Sequence, residues 1–399
     1  MAVCAVCAAT LLGLLLCCWG DFCLGRADAR LAHRDHARAA KWVERSRWLG
    51  GGTDARTCLL QVRIARRRHD FPELKCRLQQ AAERGAPPRE IQRERLLALA
   101  ESGQFDAMQE HWPQLLSDQR DDGPDIARAY YNWSMLHHDL SRAEKALQLW
   151  HDDYPRDAEP LALLGRLEEA ILNWHGAEDA YRQAFTLSPE NDEYRLAFAN
   201  ALHVRLKTKE AVPIYQEYLH RHPDDLVALR GLAQCAAANG DLETARQLLR
   251  QALRAKPDDF AALKAYGEVL LSAGDASAAV TALEKAHRAV PEHANLAYTL
   301  ARALKSCGRA TEAEPLFAFV AESRPHLVQL LDLEKQLRRD PENLELRMKI
   351  ASVTAKYVSR RDAIRWYETL LHVAPDYAPA REAVAELYEL TGAAKLSTK

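Results

Sequence analysis

Residues 226–257 read LVALRGLAQCAAANGDLETARQLLRQALRAKP, and residues 260–291 repeat the arrangement as FAALKAYGEVLLSAGDASAAVTALEKAHRAVP. Each copy has an apolar segment with helical spacing, a turn that contains glycine and aspartate, a second helical segment and a closing proline. Glycine after a helix and proline beyond its end are both termination signals. Each copy therefore predicts two antiparallel helices joined by a short turn.

The closing prolines recur at a constant interval, equal to the step from Pro223 to Pro257. They are Pro155, Pro189, Pro223, Pro257, Pro291 and Pro325, and after a shorter step Pro341 and Pro375 are again one full interval apart. Twelve residues before seven of these prolines stands an alanine, at Ala143, Ala177, Ala211, Ala245, Ala279, Ala313 and Ala363. A fixed period of this length is typical of a stacked array, and a small side chain lets the two helices of a pair approach closely.

The pattern resembles the tetratricopeptide repeat, whose signature residues are matched at 226–257 by Leu229, Leu232, Ala233, Ala245, Leu249 and Pro257. The resemblance covers residues 124–325 without a break and resumes at 344–377. It implies an all-α protein, folded as a right-handed superhelical solenoid of antiparallel helix pairs. It also implies a concave inner face, lined by the first helix of each pair, that binds other proteins or peptides.

The same period divides the chain into segments. These are a hydrophobic N-terminal segment (1–25), degenerate helical repeats (26–123), six repeat units (124–325), a single-helix half repeat (326–343), a further unit (344–377), and a capping helix with a tail (378–399). We expect one helix over 26–49 and a bent or shortened helix at Pro113. The odd helix after Pro325 is expected to make the stack irregular.

The family's ligand-contacting positions can be transferred to this chain residue by residue. They give Arg128, Asn132, Glu159, Arg166, Asn200, His203, Arg230, Gln234, Lys264, Glu268, Tyr298, Arg302 and Lys305. These residues are mostly long and polar, which suits a groove that binds an extended peptide; the alternative is the wet face of amphipathic helices. The subtype that clamps a C-terminal carboxylate is not expected, because Leu163, Glu193 and Ala197 occupy three of its positions.

The N-terminal segment is the one candidate for membrane contact. Residues 2–19 carry no charge and are numerous enough to cross a bilayer. The cations that follow are Arg26, Arg30, Arg34, Arg38 and Lys41, so an uncleaved anchor would keep the repeats on the cytoplasmic side. Small residues near Gly20 and at Ala27 and Ala29 leave open an export signal that is cleaved.

Composition and motifs argue against catalysis and against metal or cofactor binding. Net charge is −2, but residues 26–100 hold 18 Lys and Arg against 9 Asp and Glu. A basic end can bind phospholipid or nucleic acid; solvated helices explain it more simply, and no nucleic-acid partner is expected. The nine cysteines show no zinc or disulfide spacing, and no nucleotide, metalloprotease or hydrolase motif is present. We therefore expect no catalytic residues, no metal and no cofactor.

The sequence favours a non-enzymatic scaffold that binds partner proteins or peptides in the concave groove and is tethered to a membrane. The alternative is an envelope or secreted repeat protein that assists polysaccharide synthesis or export. Glycan sites usually present several exposed aromatic residues, and Tyr298 is nearly alone among the groove positions.

Overall fold

The computed structural model describes residues 18–31, 35–48 and 54–392 of the 399-residue chain. Two units, Met1–Trp133 and Ser134–Lys399, each contain their own apolar core. Every regular element within the described ranges is a helix. The predicted all-α solenoid of antiparallel helix pairs is confirmed.

Unit 1, residues 1–133, holds the degenerate repeats. Its helices are α1 (18–31), α2 (His36–Trp48), α3 (Ala55–Arg67), α4 (Phe71–Glu83), α5 (Pro88–Glu101), α6 (Trp112–Ser117) and α7 (Gly123–Leu136), which ends just inside unit 2. Short 3-10 turns occupy Phe105–Met108 and Arg120–Asp122.

Unit 2, residues 134–399, holds the regular pairs. Its helices are α8 (Leu140–Asp153), α9 (Glu159–Ala170), α10 (Trp174–Leu187), α11 (Asp192–Val204), α12 (Thr208–Arg221), α13 (Leu226–Ala238), α14 (Leu242–Ala255), α15 (Phe260–Ser272), α16 (Ala276–Ala289), α17 (Ala294–Ser306), α18 (Ala310–Arg339), α19 (Leu344–Tyr357), α20 (Arg360–Val373) and α21 (Ala378–Thr391). The odd-numbered helices from α9 to α19 are the first helices of their pairs.

Aspartates begin many of these helices. The carboxylate of Asp241 accepts a hydrogen bond from the backbone N–H of Thr244 at 3.0 Å, and that of Asp275 accepts one from Ala278 at 3.1 Å. Each bond satisfies an N–H group that has no partner inside its helix, which stabilises a helix by about 1 kcal/mol. The aspartates that follow the turn glycines thus set where second helices start.

The alanine positions lie where the two helices of a pair meet. All seven periodic alanines are at most 1 % exposed. Glycine takes the equivalent role on some first helices: a Cβ added at Gly165 would lie 2.5 Å from Cε1 of Tyr181, whose ring is itself buried. Such a separation is far inside van der Waals contact, so the crossing requires a small residue there.

Two details of unit 1 differ from the sequence-based expectation. The single helix expected over 26–49 is interrupted, because Asp35 is not helical and its carboxylate caps α2 by accepting from the N–H of Arg38 at 3.0 Å. The helix expected to carry Pro113 in its later part instead begins at Trp112, which places Pro113 in the first turn. Proline is favoured there, because first-turn N–H groups have no partner within the helix.

The half repeat predicted at 326–343 is not a separate helix. α18 runs unbroken for 30 residues through both Pro315 and Pro325. Proline removes one backbone hydrogen bond from the helix ladder, and near Pro325 the Ser323 hydroxyl donates to the Val320 carbonyl at 2.9 Å. The helix continues because Leu333 and Leu337, beyond the proline, are buried against Ile350 of the next pair.

Unit 1 contains a buried ionic cluster. The guanidinium of Arg66 is fully buried and contacts the carboxylates of Glu94 (2.9 Å), Asp122 (2.6 Å) and Glu101. Arg93 adds a second ion pair to Asp122 at 2.6 Å. These arginines hold the pKa of Asp122 well below its usual range, although burial opposes them. Charged groups therefore fill space that apolar side chains occupy in the regular pairs.

Unit 2 contacts itself across a long stretch of sequence. The imidazole of His138 stacks on the indole of Trp366 in α20. The buried guanidinium of Arg347 in α19 donates to the carbonyl of His137 and, from Nε at 3.0 Å, to that of Pro341. These contacts, here called the seam, join the start of unit 2 to its last complete pair. A solenoid in which each repeat touches only its neighbours would lack them.

Within the described ranges, no helix combines the length and the hydrophobicity that a membrane span requires. The predicted span at residues 2–19 lies almost wholly outside those ranges, which begin at residue 18.

Candidate functional site

The first helices of successive pairs lie side by side in unit 2. α11 contacts α13, α13 contacts α15 and α15 contacts α17, whereas the second helices make no comparable contact with one another in the part of the chain that the structure describes. A stack whose helices approach more closely on one side curves toward that side. The first helices therefore line the inner face of this stretch.

Two columns of partly exposed side chains cross this inner face, because equivalent positions recur at the interval set by the closing prolines. The first column contains Arg166, Asn200, Gln234, Glu268 and Arg302, and the second contains Arg230, Lys264 and Tyr298. His203 and Lys305 lie one helical turn beyond the first column, on α11 and α17. The structure thus places ten of the thirteen predicted groove residues in or next to these two columns.

A cavity of about 420 Å³ lies where the columns reach α15 and α17. Lys264 Nζ is 3.6 Å from Glu268 Oε1 on one wall. On the other wall the guanidinium carbon of Arg302 is 5.8 Å from the ring centre of Tyr298. The Tyr298 side chain is 47 % exposed and packs edge-on against Phe317. The cavity therefore offers an aromatic face beside charged groups of both signs.

Farther along the inner face, Asn200 and His203 are held by the core beneath them. The hydroxyl of Tyr215 donates to Asn200 Oδ1 at 2.6 Å, and Cys235 Sγ lies 3.4 Å from His203 Nδ1. Burial raises the pKa of the Cys235 thiol to about 11 and lowers the pKa of His203, although a hydrogen bond with Gln234 opposes the shift of His203. Both groups are therefore neutral at pH 7, and the pair is not a thiolate nucleophile.

The charges on the inner face are unevenly paired. Arg166 forms an ion pair with Glu193 from the next first helix, and Lys264 is near Glu268. Arg230, Arg302 and Lys305 have no carboxylate within ion-pair distance among the described residues. The part of the face from α13 to α17 therefore carries an excess of positive charge.

Two predicted groove residues, Arg128 and Asn132, belong to unit 1. They line a cavity of about 680 Å³ together with Arg67, Glu101 and Asp125. Asp125 lies 2.9 Å from Arg67 and 3.5 Å from Arg128. Burial raises the pKa of Glu101 to about 7, although Arg66 opposes the shift. The ion pairs of Asp125 therefore neutralise part of the positive charge in this cavity. Glu159, the remaining predicted residue, lies at the start of α9 and is half-buried.

Sequence reasoning missed three polar residues of the α15–α17 cavity, Ser272, Asn295 and Thr299. A signal was available: Asn295, Tyr298, Thr299 and Arg302 are spaced as one face of a helix. No group of three or more His, Cys, Asp or Glu side chains in the described ranges could hold a metal ion.

The helix pairs, their constant period and the small residues at the crossings are together features of one repeat family. The family model described as Tetratricopeptide repeat matches residues 207–266 and 270–331. This chain contains tetratricopeptide repeats (TPRs). The two matched stretches contain most of the inner-face cations and every lining residue of the α15–α17 cavity except Glu268. TPR arrays add repeats to build an extended surface of the kind that supports protein–protein interaction.

Several solved structures are similar to this TPR chain. PilW, a widely conserved type IV pilus biogenesis factor, is 20% identical, with 50% of this chain and 93% of PilW covered and a TM-score of 0.46. A thermophilic TPR protein of Thermus thermophilus is 21% identical, with 49% and 98% covered and a TM-score of 0.38. YrrB, a TPR protein with an unusual peptide-binding site, is 19% identical, with 52% and 98% covered and a TM-score of 0.32. No curated protein matches this chain significantly.

Proposed function

We propose that this TPR chain is a non-enzymatic scaffold that holds an extended segment of a partner protein across the inner face of unit 2. The observation that supports this most directly is the pair of side-chain columns that leads over α11, α13 and α15 into the cavity beside α17. Polar side chains on rigid helices can hydrogen-bond a peptide backbone along its length while the cavity receives one of its side chains.

Site-specific photo-crosslinking tests this proposal in the full chain. A benzophenone amino acid is placed at Gln234 or Tyr298 on the inner face, and at Arg254 as the control, because Arg254 is exposed on the second helix α14. We expect the same partner to crosslink from both inner-face positions and not from Arg254. Equal crosslinking from all three positions, or different proteins at the two inner positions, would contradict the proposal.

We also propose that residues 2–19 tether the protein to a membrane, with the repeats on the cytoplasmic side. The absence of charge in that segment supports a span, and the cations that follow favour this orientation. Trp19 and Phe22 are exposed in α1, and the Arg26 guanidinium lies 5.5 Å from the Phe22 ring. Aromatic and cationic side chains of this kind favour the headgroup region of a bilayer.

Carbonate washing and protease treatment of sealed membranes test the tether. The full chain is expected to stay in the membrane pellet and to be digested from the cytoplasmic side, whereas a chain that lacks residues 2–17 should become soluble. A mature protein that has lost its first residues and is recovered outside the cytoplasm would instead support cleavage and export.

A further inference from the structure

Three cations on the inner face of unit 2 stand out because they lack a carboxylate partner. They are Arg230 in α13 and Arg302 and Lys305 in α17. On the same face, Arg166 is paired with Glu193. The one acidic side chain among these positions, Glu268, is already 3.6 Å from Lys264. The stretch from α13 to α17 therefore has positive charge that no described residue of the chain balances.

The surroundings of these cations strengthen their attraction for an anion. Arg302 lies against the Tyr298 ring at the rim of the α15–α17 cavity, and Arg230 is half-buried beside His203, which burial keeps neutral. Arg302 and Lys305 are exposed, whereas Arg230 is partly removed from water and should therefore attract an anion more strongly than a fully solvated charge. A guanidinium can also donate two parallel hydrogen bonds to one carboxylate.

The spacing of the helices sets a rule for the ligand. Packed helices lie roughly 8–10 Å apart, and an extended chain advances about 3.3 Å per residue, so a segment that crosses the first helices meets a new helix about every third residue. Arg230 and Lys264 stand at equivalent positions of α13 and α15, and Arg302 stands one helical turn beyond the equivalent position of α17, which Tyr298 occupies. Lys264 can turn from Glu268, 3.6 Å away, to a carboxylate of the ligand. Carboxylates at every third position would face these three cations in turn.

We infer that the partner segment is an extended acidic peptide with aspartate or glutamate at every third position, bound along α13, α15 and α17. This inference rests on the proposed function of the inner face and names the chemistry of its ligand. A single-stranded nucleic acid is the other polyanion to consider, but it stacks its bases on successive aromatic side chains. Tyr298 is the one aromatic among the predicted groove residues, which favours the peptide.

Fluorescence anisotropy on the full chain tests the inference with four labelled probes. The first is a peptide with three glutamates at every third position in an alanine and serine background. The second has the same glutamates in one contiguous block, the third has glutamine in their place, and the fourth is a single-stranded oligonucleotide. The variants are Arg302→Glu and, as a matched charge reversal, Arg254→Glu on α14.

The spaced glutamate peptide is expected to bind best, and its affinity should fall about tenfold in Arg302→Glu and stay unchanged in Arg254→Glu. Raising the salt from about 0.05 to about 0.5 M should weaken it, because the contacts are electrostatic. Equal binding of the block peptide would overturn the spacing rule. Tighter binding of the oligonucleotide, or equal effects of the two reversals, would overturn the acidic peptide.

The test also separates this inference from the proposed function. If the glutamine peptide binds as tightly as the glutamate peptide, and both are lost in Tyr298→Ala, the inner face binds peptides without regard to charge. The acidic ligand would then be wrong and the scaffold function would stand. If no peptide binds and crosslinking at Gln234 and Tyr298 also yields no common partner, both the acidic ligand and the scaffold function are wrong.

Discussion

The imidazole of His138 lies flat on the indole of Trp366, with 4.4 Å between the ring centres and 7° between the ring planes. The two residues stand at opposite ends of the regular repeats, before α8 and within α20. His137 and Arg347 face the same imidazole, and His372 lies 5.8 Å from the His137 ring. Burial, with Arg347 and His137 assisting, lowers the pKa of His138 to about 4 from an ordinary 6.5.

Acid should therefore loosen the seam. Because the folded state holds His138 neutral, its contribution to stability is fully present above pH 6.5 and is lost as pH falls toward 4, by on the order of 3 kcal/mol. We expect the stability advantage of the wild type over His138→Asn, measured by denaturant unfolding, to shrink over that range. Asparagine does not titrate and tolerates the left-handed backbone at this position. Parallel pH profiles would contradict the assignment.

Removing the other ring should open the same contact at neutral pH. Trp366→Ala deletes the surface on which His138 stacks and part of the packing around Leu333 and Ile350. Amide hydrogen exchange at 137–142 is expected to rise in this variant, and to rise much less in Trp366→Phe, which keeps an aromatic face. Unchanged protection at 137–142 in Trp366→Ala would show that the stack does not hold the seam.

A strained turn offers a gain in stability. Leu206 has a φ of +60° and is 79 % exposed, whereas Gly240, Gly274 and Gly308 occupy the equivalent turns of the next pairs. A residue with a Cβ loses about 1–2 kcal/mol of stability in the left-handed region. Replacing it with glycine removes this strain, but the greater entropy of the unfolded chain offsets part of the gain. Leu206→Gly should raise the free energy of unfolding by roughly 0.5–1 kcal/mol.

The reverse change provides the control for this turn. Gly240→Leu places a side chain in the same backbone region, at a φ of +84°, and should lower stability by about 1–2 kcal/mol. Both variants are measured by denaturant unfolding. Two changes of the same sign would show that backbone strain is not what distinguishes these turns.

The helix crossings predict a contrast between a buried and a partly exposed position of the α13–α14 pair. Ala245 is fully buried beside Leu249, so Ala245→Leu overfills the crossing and should cost about 1–3 kcal/mol. Arg230→Ala removes a partly exposed side chain on the inner face and should leave thermal stability nearly unchanged. Equal melting temperatures for the two variants would remove the packing assignment.

The ionic cluster of unit 1 predicts a large effect from one arginine. Arg66→Ala leaves Glu94 and Asp122 with fewer partners in a buried site, which should cost about 3–5 kcal/mol. Arg77→Ala in α4 is the control, because Arg77 pairs with Glu73 on the surface at 3.3 Å and should cost under about 1 kcal/mol. Similar unfolding midpoints for both variants would show that the cluster adds little.

Much of the candidate site could be predicted from the sequence because the site repeats with the fold. The constant interval between the closing prolines is enough to place Gln234, Glu268 and Arg302 at equivalent positions on successive first helices. It does not say which charges are already neutralised. The partner of Arg166 comes from the next first helix, and the partner of Asn200 is a core tyrosine. Only the side-chain geometry therefore identifies Arg230, Arg302 and Lys305 as inner-face cations that have no carboxylate partner among the described residues.

The local sequence pattern was sufficient to predict the helix pairs. The turn glycines and the small residues at the crossings act within one or two repeats, over a few ångströms. The local pattern was insufficient for the unbroken α18 and for the meeting of His138 with Trp366. Whether a helix continues past Pro325 depends on what its far half packs against, because one lost hydrogen bond is smaller than the apolar burial it opposes. The seam depends on small rotations summed over every intervening pair, and such a sum is a property of the folded molecule that no single repeat encodes.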